Sequence, residues 1–79
     1  MSQLICPEID IDYNGNDIGS QGSESWEKCA QLCSKSTSCS AWSWSSIYKK
    51  CHFKNKNWRD GRIVLKNIIS GEKACVGSK

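Results

Sequence analysis

The sequence has no apolar run approaching 18 residues, so no segment reads as a membrane-spanning helix. Its opening, Met1-Ser2-Gln3-Leu4-Ile5-Cys6, has neither a basic region nor an apolar centre, and so does not read as a signal peptide. No Asn-x-Ser/Thr glycosylation site occurs. There is a single histidine, and the serines follow no nucleophile-elbow pattern. A Ser-His-Asp triad would also need a larger scaffold than this chain supplies, so nothing points to an enzyme. Positive charge is missing from one end: residues 1–27 hold six acids and no Lys or Arg. All eleven basic residues lie in 28–79, beside only Asp60 and Glu72. The two parts carry −6 and +9, which sum to the net +3. Within one fold, such halves offset each other as a mixed soluble surface.

Six cysteines in 79 residues are the dominant positive feature. A chain this short makes one domain and cannot build a large apolar core. Only 38% of its residues are hydrophobic, cysteines included. Disulfides are the usual supplement, and they imply a secreted or surface location. Export requires a signal, so the chain is expected to be a module excised from a larger secreted protein, with Met1 added for expression. Four Trp, two Tyr and one Phe argue against disorder.

Along the chain, residues 4–12 alternate as a short strand, with Ile9 and Ile11 against Glu8, Asp10 and Asp12. Asn14-Gly15 signals a turn. Residues 19–25 read as a polar loop. Ser25 is an N-cap candidate, with Glu27 in the first turn, for a helix that fades near Lys35. Trp26, Cys29, Ala30 and Cys33 share one face of it. Residues 39–46 alternate with period two, placing Trp42 and Trp44 on one face and Ala41 and Ser43 on the other. Residues 50–54 alternate again, Cys51 and Phe53 against His52 and Lys54, with Ile47-Tyr48-Lys49 as the connection. Asn55 to Gly61 is polar and ends in an Asp60-Gly61 turn. Ile63-Val64-Leu65 and Ile68-Ile69 read as buried strand residues, and Ser70-Gly71-Glu72 as a tight turn. The expected class is α+β, one helix on a small antiparallel sheet.

Six cysteines allow fifteen pairings. Cys29 and Cys33 lie at i and i+4 on the helix, where both side chains lean toward its N-terminus, so they should not bridge each other. Each should instead reach the sheet. Cys33 to Cys39 is a short link, Cys29 to Cys51 would staple helix to strand, and Cys6 to Cys75 would then join the ends.

Several stretches together resemble the PAN/apple domain superfamily. They are Asp12-Tyr13-Asn14-Gly15-Asn16-Asp17-Ile18, the Ser25 to Cys33 segment with its Cys-x-x-x-Cys, Cys39-Ser-Ala-Trp-Ser-Trp, Lys50-Cys51-His-Phe-Lys54, and Ile68-Ile69-Ser70-Gly71 before Cys75. The resemblance spans nearly the whole of 1–79, with an ordered core of about 6–75. It implies a helix cradled by a roughly five-stranded antiparallel sheet, and the pairing Cys6–Cys75, Cys29–Cys51 and Cys33–Cys39. The Asp-Tyr-x-Gly-Asn-Asp-Ile segment looks most like the tandem modules of apicomplexan microneme adhesion proteins. On that likeness the chain is expected to be a non-catalytic adhesion module of a secreted invasion protein, meeting host-surface protein or carbohydrate and neighbouring modules of its own chain. The family also includes clotting-type modules that contact zymogens or proteases, and a spacer role in a tandem array is the other alternative.

Three chemistries compete with plainer readings. Asp10-x-Asp12-x-Asn14-Gly15-Asn16 copies the opening of a calcium-binding EF-hand loop. It then fails, with Asp17 where an apolar residue belongs and Gln21 where Glu belongs. Cys33, Cys39, Cys51 and His52 match no zinc spacing, and adjacent strand residues face opposite ways. No metal or other cofactor is therefore expected, and no nucleic-acid motif is present. The third is a basic, aromatic run: Lys49, Lys50, Lys54, Lys56, Arg59, Arg62 and Lys66 interleave with Tyr48, His52, Phe53 and Trp58. Rings stack on sugar faces, and Lys and Arg donate to acidic or hydroxyl oxygens. The candidate ligand-binding residues are Tyr48, Lys54, Lys56, Trp58, Arg59 and Arg62. Trp58 leads the set because its loop has no apolar period to bury it.

Overall fold

A computed structural model describes residues 6–76. Leu4 and Ile5, the expected start of the first strand, lie outside that range. The elements run β1 (Glu8–Tyr13), β2 (Asp17–Gly22), α1 (Trp26–Ser34), β3 (Ala41–Ser45), β4 (Lys50–Lys54), a 3-10 turn (Trp58–Gly61) and β5 (Arg62–Glu72). The strands form one five-stranded antiparallel sheet in the order β1-β5-β3-β4-β2. The α+β class and the single helix on the sheet are as expected.

The helix begins where a side chain can satisfy its free amides. Ser25 Oγ accepts the Lys28 N–H at 3.2 Å, and Glu27 faces the positive end of the dipole. Cys29, Ala30 and Cys33 are buried against the sheet. The central strand β3 is covered on both sides, all five of its residues being buried. Trp42 and Trp44 face the helix, where Trp26 stacks on Trp42 with ring centroids 5.8 Å apart. Both indole N–H groups find carbonyls, Trp42 at Cys75 (3.2 Å) and Trp44 at Ser23 (2.8 Å), so burying them leaves no unmet donor. Disulfides Cys29–Cys51 and Cys33–Cys39 pin the helix to β4 and to the start of β3, and Cys6–Cys75 joins the two ends of the fold.

Three expectations are corrected. Residues 19–22, expected within the polar loop 19–25, belong to the edge strand β2; an edge strand needs only backbone partners, and β4 supplies them from Lys50 to Lys54. Every residue of β2 is exposed, so no apolar alternation marks it. Ser70-Gly71-Glu72 is not a turn but the last part of β5, paired with Ser43, Trp42 and Ala41. Ile63, Val64 and Leu65 are exposed rather than buried. Their position explains why. Between the pairs Ile9–Ile69 and Ile11–Val64 the register of β1 and β5 breaks, leaving residues 65–68 opposite Asp10 alone in that ladder; Ile63 and Val64 lie beyond the break, where β5 has β1 but not β3 beside it. Asp10 and Asn67 take left-handed backbone angles (φ 60° and 72°), and Asp10 Oδ1 accepts the Asn67 N–H at 3.0 Å.

Beyond this bulge the outer parts of β1 and β5 fold over the sheet face opposite the helix. The Tyr13 N–H donates to Ser43 Oγ on β3 (3.2 Å), and Ser43 shares a 2.7 Å hydrogen bond with Ser70, which in turn donates to the Ile11 carbonyl. Tyr13, Ala41 and Trp58 form a second small core there, edged by Ile11.

Candidate functional site

The far face of β3 and β4 carries polar side chains, because Trp42, Trp44, Cys51 and Phe53 alternate toward the helix. Ser43 and Ser45 from β3, with His52 and Lys54 from β4, form the floor of a hollow of about 240 Å³. The β1–β2 turn supplies one wall with Asp12, Asn14, Gly15 and Asp17; Tyr48 and Ile68 close the other side. The volume lies below the range typical of drug-sized sites and suits one small polar unit.

Several of the lining groups are held. Lys54 is only 3% exposed, and its ammonium pairs with the Asp17 carboxylate across the hollow's edge. Ser45 Oγ accepts the Tyr48 N–H at 3.2 Å and so sets the β3–β4 turn, in which Lys49 adopts φ 52°. The Tyr48 ring stands free at the rim, 80% exposed. Burial holds His52 below its ordinary value of 6.5, and the nearby Lys54 and Lys50 charges add to this, against an opposite pull from Asp17 and Asp12. At neutral pH its ring is therefore uncharged, with one nitrogen to donate and one to accept. The hollow thus mixes hydroxyls, an imidazole, an amide, carboxylates and one ammonium, with an aromatic face at its lip.

The candidate residues do not form one patch. Tyr48 and Lys54 line the hollow. Trp58, expected as the exposed anchor, is 7% exposed: its ring packs on Tyr13 with centroids 4.4 Å apart, and its loop is drawn in by that contact rather than by any local period. Arg59 covers the outer side of Trp58, its guanidinium 4.4 Å from the ring centroid. Arg62 is engaged by Glu8, through a two-oxygen contact that links β5 to β1. Lys56 is exposed in the loop after β4. Lys49, from the same basic run, reaches toward the helix side, 5.2 Å from the Trp44 ring centroid.

Sequence reading missed Ser43, Ser45, Asp12, Asn14 and Asp17 as lining residues. The alternation of β3 did place Ser43 opposite the tryptophans, and that was the one available signal. The folding-over of β1, which brings Asp12 to β3, follows from the Asp10 bulge and has no local signature. Among the described residues no cluster of His, Cys, Asp or Glu has the arrangement of a metal site.

With this geometry in place, comparison with known proteins gives the lineage. A family model described as the PAN domain matches residues 11–54, more than half of the chain. The chain belongs to the PAN domain family. Its fold is similar to that of the two N-terminal apple domains of Toxoplasma gondii microneme protein 4, with a TM-score of 0.77, 22% identity and 84% of this chain covered. The chain spans 43% of that two-domain structure. A PAN module from Eimeria tenella is also similar, with a TM-score of 0.63 and 21% identity over 100% of this chain and 91% of that one. At these identities the likeness is one of fold. No curated protein matches the sequence. No helix of the described residues is long and apolar enough to cross a membrane.

Proposed function

We propose that this PAN domain is a non-catalytic adhesion module of a larger secreted protein, and that it contacts a host-surface glycan through the hollow between β3–β4 and the β1–β2 turn. The observation that carries the reading is the pairing of a small, fixed, polar hollow with the exposed ring of Tyr48 at its lip. A sugar presents hydroxyls on its edges and a C–H face, so serine, histidine, carboxylate and ammonium groups meet the edges while the ring covers the face. The Lys54–Asp17 pair and the Ser45–Tyr48 contact hold the lining in place before a ligand arrives, which limits the ordering cost of binding. One small site gives modest affinity, and repetition of the module along a longer chain would raise it through effective concentration. A secretory, microneme-type location is part of the same reading, and the three disulfides support its secreted character.

The test is a glycan array and a host-cell binding assay with the parent chain beside His52→Ala and Tyr48→Ala. Both variants alter exposed or half-buried groups and should fold. The parent is expected to bind a restricted set of glycans, and each variant to lose about tenfold or more, as removing one hydrogen-bonded or stacking anchor does. Absence of glycan binding by the parent, or equal binding by both variants, counts against the hollow as the site. A carrier in which the module only spaces its neighbours would show no binding on either assay.

A further inference from the structure

Four of the eight large apolar side chains exposed among the described residues lie in two short segments. Ile47 (64% exposed) and Tyr48 form the tip of the β3–β4 turn, while Val64 (78%) and Leu65 lead into the β5 bulge. Two hydrogen bonds tie these segments side by side: the Ser46 N–H and Ser46 Oγ both donate to the Asn67 carbonyl, at 3.0 and 3.1 Å. Lys50 follows the turn and Lys66 sits within the bulge, both exposed. Ion pairs among the described residues join Lys54 to Asp17 and Arg62 to Glu8, so neither Lys50 nor Lys66 has a carboxylate at contact distance. Asp10, brought to this end by the bulge, accepts the Asn67 N–H; Asp12 and Asp17 lie in the hollow that Tyr48 borders, and Asp17 is taken by Lys54.

We propose that this end of the molecule docks on an anionic lipid surface, Ile47, Tyr48 and Leu65 entering the headgroup boundary and Lys50 and Lys66 meeting the lipid charge. Charge complementarity selects the occupant, and size supports it. The tip is carried by few side chains, which cannot supply the roughly 800 Å² per partner of a standard protein interface. A fluid lipid boundary needs no matching cavity. Its hold grows with inserted apolar area and with each lysine near the anionic layer. Tyrosine suits that boundary because its ring is apolar and its hydroxyl polar. The turn is also held in shape by the Ser45–Tyr48 hydrogen bond, so little order remains to be gained on docking.

Flotation of the chain with vesicles provides the test, comparing phosphatidylcholine alone with phosphatidylcholine mixed with phosphatidylserine. Binding is expected only to the mixed vesicles, and it should weaken as salt rises. Lys50→Gln and Lys66→Gln should each cost about fivefold. Ile47→Ser with Leu65→Ser, which leaves the hollow untouched, should cost at least about tenfold. Circular dichroism and the melting temperature establish that each variant is folded. As a second readout, Ile47→Trp should give an emission that shifts to the blue on mixed vesicles alone. Equal binding to both vesicle types, binding to neither, or undiminished binding by the folded Ile47→Ser/Leu65→Ser variant overturns the proposal. Self-association abolished by the same variant, without vesicle binding, would overturn it in favour of a second copy of the chain.

Discussion

Gly61 shows how closely one residue can be prescribed. Its carbonyl accepts the Asn14 N–H at 2.7 Å, and a β-carbon added at Gly61 would lie 1.7 Å from the Asn14 carbonyl oxygen. The obstacle is backbone, which cannot swing aside as a side chain does. Gly61→Ala is therefore expected to separate the 3-10 turn from the end of β1 and to destabilise by about 1–3 kcal/mol or more. Gly22→Ala, where nothing lies within 4 Å, should stay within about 0.5 kcal/mol of the parent. Urea unfolding of the two variants checks the contrast; equal midpoints would refute the close contact. The Asp60-Gly61 pair was legible as a turn. Its tightness against Asn14 was not, because the contact joins residues far apart in sequence.

At the scale of elements, α1, β3 and β4 were legible because each has a local cause. The helix has a capping serine and apolar residues at helical spacing; the two strands have tryptophan, cysteine and phenylalanine on alternate positions. β2 and the course of β5 lacked such causes. One is an all-exposed edge, and the other pairs with β1 on both sides of its bulge but with β3 only over Ile68–Glu72. The outer part of the β1–β5 pair is reinforced by charge. The Arg62 hydrogen bond holds the Glu8 carboxyl below its ordinary value of 4.5, helped by the Tyr13 hydroxyl at 2.5 Å and opposed by partial burial. A carboxyl lowered in the folded state contributes stability that is fully present above its unfolded value. That stability is lost as pH falls through the folded one. Stability should therefore fall with pH below about 4.5. Glu8→Gln should flatten that part of the curve while leaving a lower plateau above it. Denaturant titrations at a series of pH values read the difference, and unchanged slopes would remove Glu8 from the account.

For the whole molecule, the notable fact is what the core is made of. Its buried apolar residues are cysteine, tryptophan, tyrosine and alanine; among the described residues no Ile, Leu, Val or Phe is fully buried. Burial of a few rings cannot alone offset the ordering of a chain of this size, and the bridges act on the unfolded state instead. Cys6–Cys75 closes a separation of 69 residues and Cys33–Cys39 one of 6. In the chain-entropy view, Cys6→Ala/Cys75→Ala should cost about 4 kcal/mol and Cys33→Ala/Cys39→Ala about 2 kcal/mol, before any loss of packing. Thermal melts would test this order, and a larger loss from the short loop would show that packing outweighs loop closure. The expectation that Ile63-Val64-Leu65 fill the core fails because they lie in the part of β5 that has β1 but not β3 beside it.

Composition, cysteine spacing and strand alternation were enough to place this chain in its fold class and to set the tryptophans on the helix side, because those features depend on neighbours in sequence. The site was another matter. Lys54, on its strand, and Trp58, in its loop, read as free groups until Asp17 and Tyr13, distant along the chain, were brought against them. The serines of β3 became a floor once the Asp10 bulge had turned β1 over them. Exposure is a property of packing between remote segments, so a run of basic and aromatic residues could signal binding chemistry without showing which of them would face the ligand.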